Sequence, residues 1–367
     1  MVMTMNEICT ILKFVCSIQF LRMSLLWTFS LLVSYLRLFF AGRFFGKKCA
    51  VYSRQKVTAI SASQRPVCIV TGATSGLGAA AALALSKEGF FVILVGRSGY
   101  SLSKAMAEIR KLNEKAQLEA FEVDLSSFSS IMKFSDSIRQ WLSDMNLHPS
   151  IQLLINNAGL LATSYRATSH GYDEMMMTNY MGAFSLTQLL LPLLLSSPVS
   201  SRIVNVSSFT HRSVNGIQVH KEFVCGKSFL NSKKYPFAQI YEYSKLYILL
   251  FSYKLHRDII SMGKASQLSV NVVDPGAVKT NIMREVPACL SQLAFSVLKL
   301  MQLLQFPKDG VSSILDACLA PPGTSGMYFF GGNGRTMNSS PLSYDAKLSE
   351  ELWETSCHLF TELKSSY

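Results

Sequence analysis

Val67-Cys68-Ile69-Val70-Thr71-Gly72-Ala73-Thr74-Ser75-Gly76-Leu77-Gly78 is the stretch whose reading decides the fold. The apolar residues read as a strand, the glycine-rich run as a tight turn, and Leu77 to Lys87 as a helix that starts at once. Such a turn aims backbone N–H groups and the positive end of a helix at one spot, which suits a pyrophosphate. The spacing is G-x-x-x-G-x-G, not the commoner G-x-G-x-x-G dinucleotide fingerprint. Glycine trios also make plain turns, so the weight comes from the residues downstream that keep register with it.

Downstream the chain alternates. Strands are expected at 67–70, 91–95, 120–123, 152–155, 202–206, 269–273 and 327–330. Helices are expected near 77–88, 101–116, 126–144, 172–195, 240–262 and 308–319. The strand runs are continuously apolar, as when helices cover both sheet faces. The sequence therefore predicts an α/β fold over 67–367: one doubly wound, Rossmann-type parallel sheet with helices on both faces.

Polar residues and glycines recur where these strands end. Val95-Gly96-Arg97-Ser98 follows the second strand, at the position where many such folds carry an acid for the ribose 2′-hydroxyl. A guanidinium there pairs with a 2′-phosphate and predicts NADP(H), with NAD(H) second. Val123-Asp124-Leu125 follows the third strand, placing an acid where it can accept from an adenine amino group. Asn156-Asn157-Ala158-Gly159 closes the fourth. Gly72, Arg97, Asp124 and Asn157 thus mark four successive strand ends, the edge at which such sheets bind ligand.

Tyr241-Glu242-Tyr243-Ser244-Lys245 contains Y-x-x-x-K, whose spacing sets a phenol and an ammonium side by side on one helix face. A neighbouring Lys is expected to lower the phenol pKa from about 10 towards working pH. Tyr52–Lys56 and Tyr100–Lys104 match the pattern too, but they lie in the linker and in the turn after the second strand. Only Tyr241 opens a long helix downstream of a strand ending in Asn205-Val206-Ser207-Ser208. Ser208 can donate to a carbonyl oxygen, with Ser207 its neighbour. Asn179 stands mid-helix, where asparagine is mildly unfavourable.

Ahead of this domain lie two further segments: 1–42, apolar, and 43–66, a basic and polar linker. Met23–Leu36 is an uncharged run between Arg22 and Arg37. Counted to Gly42, it approaches the roughly 20 residues of a membrane span. A helix lying in the membrane plane is the alternative. Net charge is +12, yet residues 1–56 hold eight Lys/Arg against one acid, leaving 27 bases and 22 acids elsewhere. The basic character thus belongs to the N-terminus and does not describe a nucleic-acid-binding surface. Lys13 and Arg22 precede the apolar core, whereas Arg37, Arg43, Lys47, Lys48, Arg54 and Lys56 follow it. That places the large domain on the cytoplasmic side. The eight cysteines are scattered without C-x-x-C, so neither a disulfide framework nor a metal site is expected.

TGATSGLG, NNAG, NVSS, YEYSK and Asp274-Pro275-Gly276-Ala277-Val278-Lys279-Thr280, in that order, resemble the short-chain dehydrogenase/reductase family. The likeness is greatest to its retinol-dehydrogenase-like branch. FLRMS, SFTHRS, YPFAQIYEYSK and YFFGGNGRT narrow it further to a plant oxidoreductase. The resemblance implies a tetrad of Asn179, Ser208, Tyr241 and Lys245. In it Tyr241 passes the proton, Ser208 polarises the carbonyl, Lys245 holds the nicotinamide ribose, and Asn179 supports a water. It also implies cofactor contacts from Gly72, Thr74, Ser75, Gly76, Leu77, Gly78, Arg97, Asp124, Leu125, Asn157, Ala158, Gly159, Tyr241 and Lys245. Pro275, Gly276, Val278 and Thr280 would pack around the nicotinamide.

The interval from Ser208 to Tyr241 is long for the family, and its polar residues, His211 and His220 among them, are expected at the surface near the substrate mouth. Val286–Phe306 carries a single charge, Lys299, and corresponds to the segment that covers substrate. A lipophilic carbonyl or alcohol is the expected substrate; core packing or a homodimer contact are the other uses of such a stretch. The expected address is the endoplasmic-reticulum membrane, with the plastid envelope second. The competing function is a cofactor-binding regulatory or scaffold protein that turns over little.

Overall fold

The computed structural model describes residues 11–12, 14–44, 50–57, 65–145, 147–230, 232 and 234–367. Lys13, Lys47, Lys48 and the linker residues 58–64 lie outside them. The strands are β1 (Val67–Thr71), β2 (Phe91–Gly96), β3 (Gln117–Glu122), β4 (Leu153–Asn156), β5 (Ser201–Val206), β6 (Leu268–Asp274), β7 (Ala277–Val278), β8 (Leu304–Gln305) and β9 (Tyr328–Phe330). Seven form one parallel sheet in the order β3-β2-β1-β4-β5-β6-β9. β7 and β8 form a separate parallel pair.

β1, β2, β4, β5 and β6 are buried at every position. β1 and β2 are nearly unbroken apolar runs, whereas β5 and β6 interleave Arg202, Asn205, Ser269 and Asn271, which are hydrogen-bonded in the interior. Helices Phe128–Asp144, Gly182–Leu195, Phe237–Ser261 and Ala346–Ser365 pack on one face. Gly76–Lys87, Gly99–Leu112 and Pro307–Cys318 cover the other. All seven expected strands form. β3 begins earlier than expected because it is the sheet edge: Gln117 and Glu122 are exposed and only Leu118 is fully buried, so the apolar signal is thin. The Ala346–Ser365 helix was not expected. It buries Ser349, Leu352, Ser356, Leu359 and Leu363, and the two serines dilute its hydrophobic stripe.

β1 and β4 adjoin in the sheet, yet the chain winds away from them in opposite directions. A crevice opens at their C-terminal ends, where sheets of this kind take their ligands.

The N-terminal segment runs as α-helix over Ile18–Leu21, π-helix over Arg22–Trp27, and α-helix over Thr28–Phe44. Its Ile18–Phe40 part is long and apolar enough to cross a membrane. Met23, Ser30, Leu31, Ser34 and Leu38 are nevertheless buried against the domain. Residues 50–57 return to the domain too. The Tyr52 N–H donates to the Gly334 carbonyl (2.9 Å), and Arg54 Nε to Asp316 (2.8 Å).

Candidate active site

The crevice widens into a cavity of about 720 Å³ bounded by the glycine loop, the ends of β4 and β5, the segment after β6 and two further helices. Gly72 and Gly76 hold φ of +65° and +56°, and Ser75 leaves the amides of the following helix without a side-chain cap. Gly78 sits behind the loop. A Cβ there would stand 2.2 Å from the Gly72 carbonyl oxygen, so only glycine lets the helix start this close to the turn. A Cβ on Gly76 would meet the Thr280 methyl at 3.2 Å across the cavity.

Among the residues singled out in the sequence, Gly72, Thr74, Ser75, Gly76, Leu77, Arg97, Leu125, Asn157, Ala158 and Gly159 line this cavity. Ser208, Tyr241, Lys245, Pro275, Gly276, Val278 and Thr280 line it too. Three stand behind it. Gly78 is one. Asp124 spends Oδ1 on the Ser126 N–H (2.9 Å) and hydroxyl (2.8 Å). Asn179, within the π-helical turn Met177–Met181, pairs with both backbone groups of Leu160, accepting at 2.8 Å and donating at 2.9 Å, and donates to the Ser244 hydroxyl (3.1 Å). That bidentate clamp is the reason for an asparagine mid-helix. Asn157 lines the cavity but turns its amide back to the Thr71 carbonyl (2.8 Å), tying β4 to the glycine loop.

Tyr241 and Lys245 share one face of the Phe237–Ser261 helix, with Lys245 Nζ 5.5 Å from the phenol ring centre. Lys245 is only 4% exposed and donates to the Val206 carbonyl at 3.2 Å. The Ser208 hydroxyl faces the Tyr241 phenol closely enough to lower its pKa. Ser207 faces away, donating to the Lys245 carbonyl (2.9 Å). The expected lowering of the Tyr241 pKa is not met, because burial dominates its environment. Burial raises Tyr241, aided by the Asp274 charge and opposed by the neighbouring Ser208 hydroxyl. Burial also pushes Lys245 down to about 8, with Asp274 opposing. Asp274 is itself held by the Gly276 N–H (2.8 Å) and the Tyr328 hydroxyl (2.6 Å).

Arg97 reaches the cavity rim with its side chain 46% exposed, and its Nη1 meets Glu174 at 2.9 Å. Glu174 is shared with Arg166 (2.7 Å), which also holds Glu285 (2.8 Å).

Three features of the site escape a reading of the sequence. His211 is fully buried, not solvated: the Ser340 N–H donates to its Nε2 (3.1 Å), so Nδ1 carries the proton and donates to the Ser208 carbonyl (2.6 Å). Burial drives its pKa well below the ordinary value, keeping it neutral. Glu242, inside the YEYSK motif, is an ion-pair partner of Arg22 (2.6 Å). Trp27 lies against Tyr241, with ring centres 5.6 Å apart. No local pattern marks contacts between residues 129 to 220 positions apart.

The family pattern described as short chain dehydrogenase matches residues 66–231. A polyprenol dehydrogenase of Homo sapiens is 32% identical over 302 residues, covering 80% of this chain and 84% of the relative. The chain belongs to the short-chain dehydrogenase/reductase family. The short-chain dehydrogenase TIC 32 B, chloroplastic, of Brassica napus is 31% identical over 303 residues (80% and 88% covered). Retinol dehydrogenase 14 of Mus musculus is 31% identical over 302 residues (78% and 84% covered). Among solved structures, an uncharacterised protein from Mycobacterium Paratuberculosis is 26% identical with a TM-score of 0.62, over 85% of this chain and 98% of that one. As a short-chain dehydrogenase/reductase, the chain is an oxidoreductase of a family that uses nicotinamide cofactors. The residues present fit such a group: uncapped helix amides face a turn in which a Cβ at Gly72 or Gly78 would collide with backbone, and hydroxyl, phenol and ammonium groups converge beyond it.

Holding Lys245 in the interior destabilises the fold. Its drop from 10.5 to about 8 corresponds to roughly 3 kcal/mol at neutral pH. Lys245→Met should therefore raise the thermal midpoint by several degrees at pH 7 while removing the ammonium from the site. The folded state releases its proton near pH 8 and the unfolded state near 10.5, so wild-type stability recovers as pH rises through this window. The gain from the substitution should shrink accordingly, as thermal unfolding across pH would report.

Proposed function

We propose that the chain is a membrane-associated, NADP(H)-preferring oxidoreductase that interconverts an alcohol and a carbonyl on a lipophilic substrate. The observation that carries this reading is the convergence of Tyr241, Lys245 and Ser208 on one apolar-walled cavity beside an uncapped glycine-loop helix. A nicotinamide cofactor held by these residues would supply the hydride chemistry at the alcohol or carbonyl carbon. Tyr241 takes the hydroxyl proton during oxidation and donates it to the carbonyl oxygen during reduction. Ser208 donates a hydrogen bond to that oxygen, held in place by His211 on its carbonyl. Lys245 would hold the ribose hydroxyls of the cofactor. Asn179 fixes Leu160 beside the cavity and, through Ser244, the catalytic helix.

Support for NADP(H) comes from Arg97 at the end of β2, whose remaining guanidinium donors sit at the rim with Ser98 and Ser101. Support for a lipophilic substrate comes from Leu290, Ala294 and Leu298 of the Ala288–Leu300 helix, which form one wall, and from relatives named for polyprenol and retinol. Leu25, Phe29 and Leu36 on the N-terminal helix and Leu293, Val297 and Leu300 on this lid helix are exposed, a face suited to lipid. We assign the protein to the endoplasmic-reticulum membrane, domain towards the cytoplasm. The plastid envelope is the second choice, in keeping with the chloroplastic relative.

Tyr241→Phe should lower turnover of lipophilic aldehydes by about 10²–10⁴-fold, the range for a lost general acid, while NADPH titration stays unchanged. Full activity in this variant would refute the assignment. NADPH binding without turnover by the wild type on any alcohol or aldehyde would favour a cofactor-binding regulatory protein. Arg97→Ala should weaken NADPH by about 10–100-fold, the loss of one charge-assisted hydrogen-bonding group, and leave NADH nearly unaltered, as fluorescence titration would read. The full chain should float with phosphatidylcholine vesicles, and Leu25→Asp/Phe29→Asp should sediment instead.

A further inference from the structure

The N-terminal helix is inside out by the standards of a helix at a water surface. Gln19, Arg22, Trp27, Ser30 and Tyr35 turn their polar groups to the protein, while Ser24 and Arg37 are exposed. Arg22 donates to Glu242 through Nε (2.8 Å) and Nη2 (2.6 Å), and to the Ser213 carbonyl (3.0 Å). Trp27 Nε1 donates to the same carboxylate at 2.7 Å, and the Ser30 and Ser213 hydroxyls meet at 3.1 Å. The Glu242 side chain is 0% exposed beneath this cover. On the far side Leu25, Leu26, Phe29, Leu36, Phe39 and Phe40 are exposed.

The π-helical stretch explains how two residues five apart reach one carboxylate. In an α-helix positions i and i+5 point about 140° apart. The wider π turn, closing at i+5, brings Arg22 and Trp27 round to the same side. The contacts extend along nearly the whole helix. The Ala238 N–H donates to Gln19 Oε1 (3.2 Å) at one end, and Gln305 Nε2 to the Tyr35 hydroxyl (3.2 Å) towards the other. Leu38 buries beyond it among Tyr328, Phe330 and Met337. Gln19 to Leu38 spans roughly 30 Å of helix, about the thickness of a bilayer's hydrocarbon core. A helix held to the domain over that length cannot also cross a bilayer.

Phe20, Met23, Trp27, Thr28 and Leu31 line the cavity itself, opposite the lid helix. Gln305 joins the two walls: it donates both to Tyr35 and to the Pro275 carbonyl (3.1 Å), at the foot of the β7–β8 pair that closes the lid excursion.

We infer that the N-terminal helix is a wall of the substrate pocket, not a tether: the Arg22–Glu242 pair fixes it to the catalytic helix, its outer face lies in one leaflet, and Trp27 is a specificity-determining residue over Tyr241. The indole is a rigid apolar plate, locked by Glu242 and set 5.6 Å from the Tyr241 ring in the same cavity wall, where a substrate chain beside Tyr241 would meet it. The inference takes from the proposed function only the class of substrate, a lipophilic aldehyde or alcohol.

Two measurements on the full chain in vesicles test it. In the double variant Ser30→Cys/Ser213→Cys the two sulfurs replace hydroxyls already in contact, so mild oxidation should form a disulfide between positions 30 and 213, mapped by peptide mass. A spanning tether would leave these thiols apart, and failure to crosslink overturns the docked helix. Trp27→Ala should change the ratio of kcat/KM for farnesal over hexanal by tenfold or more, and Trp27→Phe, which keeps a ring there, should restore most of it. An unchanged ratio in a folded Trp27→Ala protein overturns the specificity role. Tyr241→Phe run alongside separates the two readings: if it remains active, the proposed reaction is wrong, whereas a dead Tyr241→Phe with an unmoved ratio condemns only the wall.

Discussion

Thr71 and Asn157 hold the place where β1 and β4 part, and the remainder of the site is arranged around that junction. The Thr71 hydroxyl donates to the Ile155 carbonyl (3.2 Å) and accepts from the N–H groups of Asn157 (2.9 Å) and Ala158 (3.0 Å). The Asn157 amide answers with a bond to the Thr71 carbonyl. Two strands distant in sequence are thereby stapled at the level where the backbone must turn with positive φ at Gly72. The polar residues at these strand ends thus shape the crevice first and face a ligand second.

The fold was legible because its signals are local. Continuous apolar strands, helices between them and a glycine turn each declare themselves within a dozen residues. The Tyr241–Lys245 pair is equally local, being one helical turn. Asn157, Asn179 and Asp124 were legible as positions but not as orientations, since a side chain at a strand end can serve the backbone or the cavity with the same sequence. His211 and Glu242 were not legible. Each takes its role from a partner far along the chain, Ser340 in one case and Arg22 in the other, and no periodicity encodes such meetings. The C-terminal helix fell between the two, periodic in fact but masked by Ser349 and Ser356 on its buried stripe.

Burial governs the electrostatics here more than pairing does. Lys245, Asp274, Tyr241 and His211 lie within one water-poor region, and desolvation is the largest influence on each. The protein meets this by giving each group a fixed backbone or hydroxyl partner and by mixing signs, with the Asp274 carboxylate set among the Lys245 ammonium and the Arg212 guanidinium. The region remains poised, because a change in the charge of one group is felt by the others. That is the setting in which a phenol can exchange a proton without water as intermediary.

The Arg22–Glu242 contact spans 220 positions, and this has a consequence for how the chain is made. During synthesis Arg22, Trp27 and Ser30 leave the ribosome long before Ser213 and Glu242 exist. In that interval the helix has no protein surface to cover Arg22, Ser30 or Ser34, while its apolar side is complete. The order of translation therefore favours capture by lipid first and docking last. Closure of the pocket becomes the final, high-contact-order step of folding, completed only where a membrane and a finished domain meet.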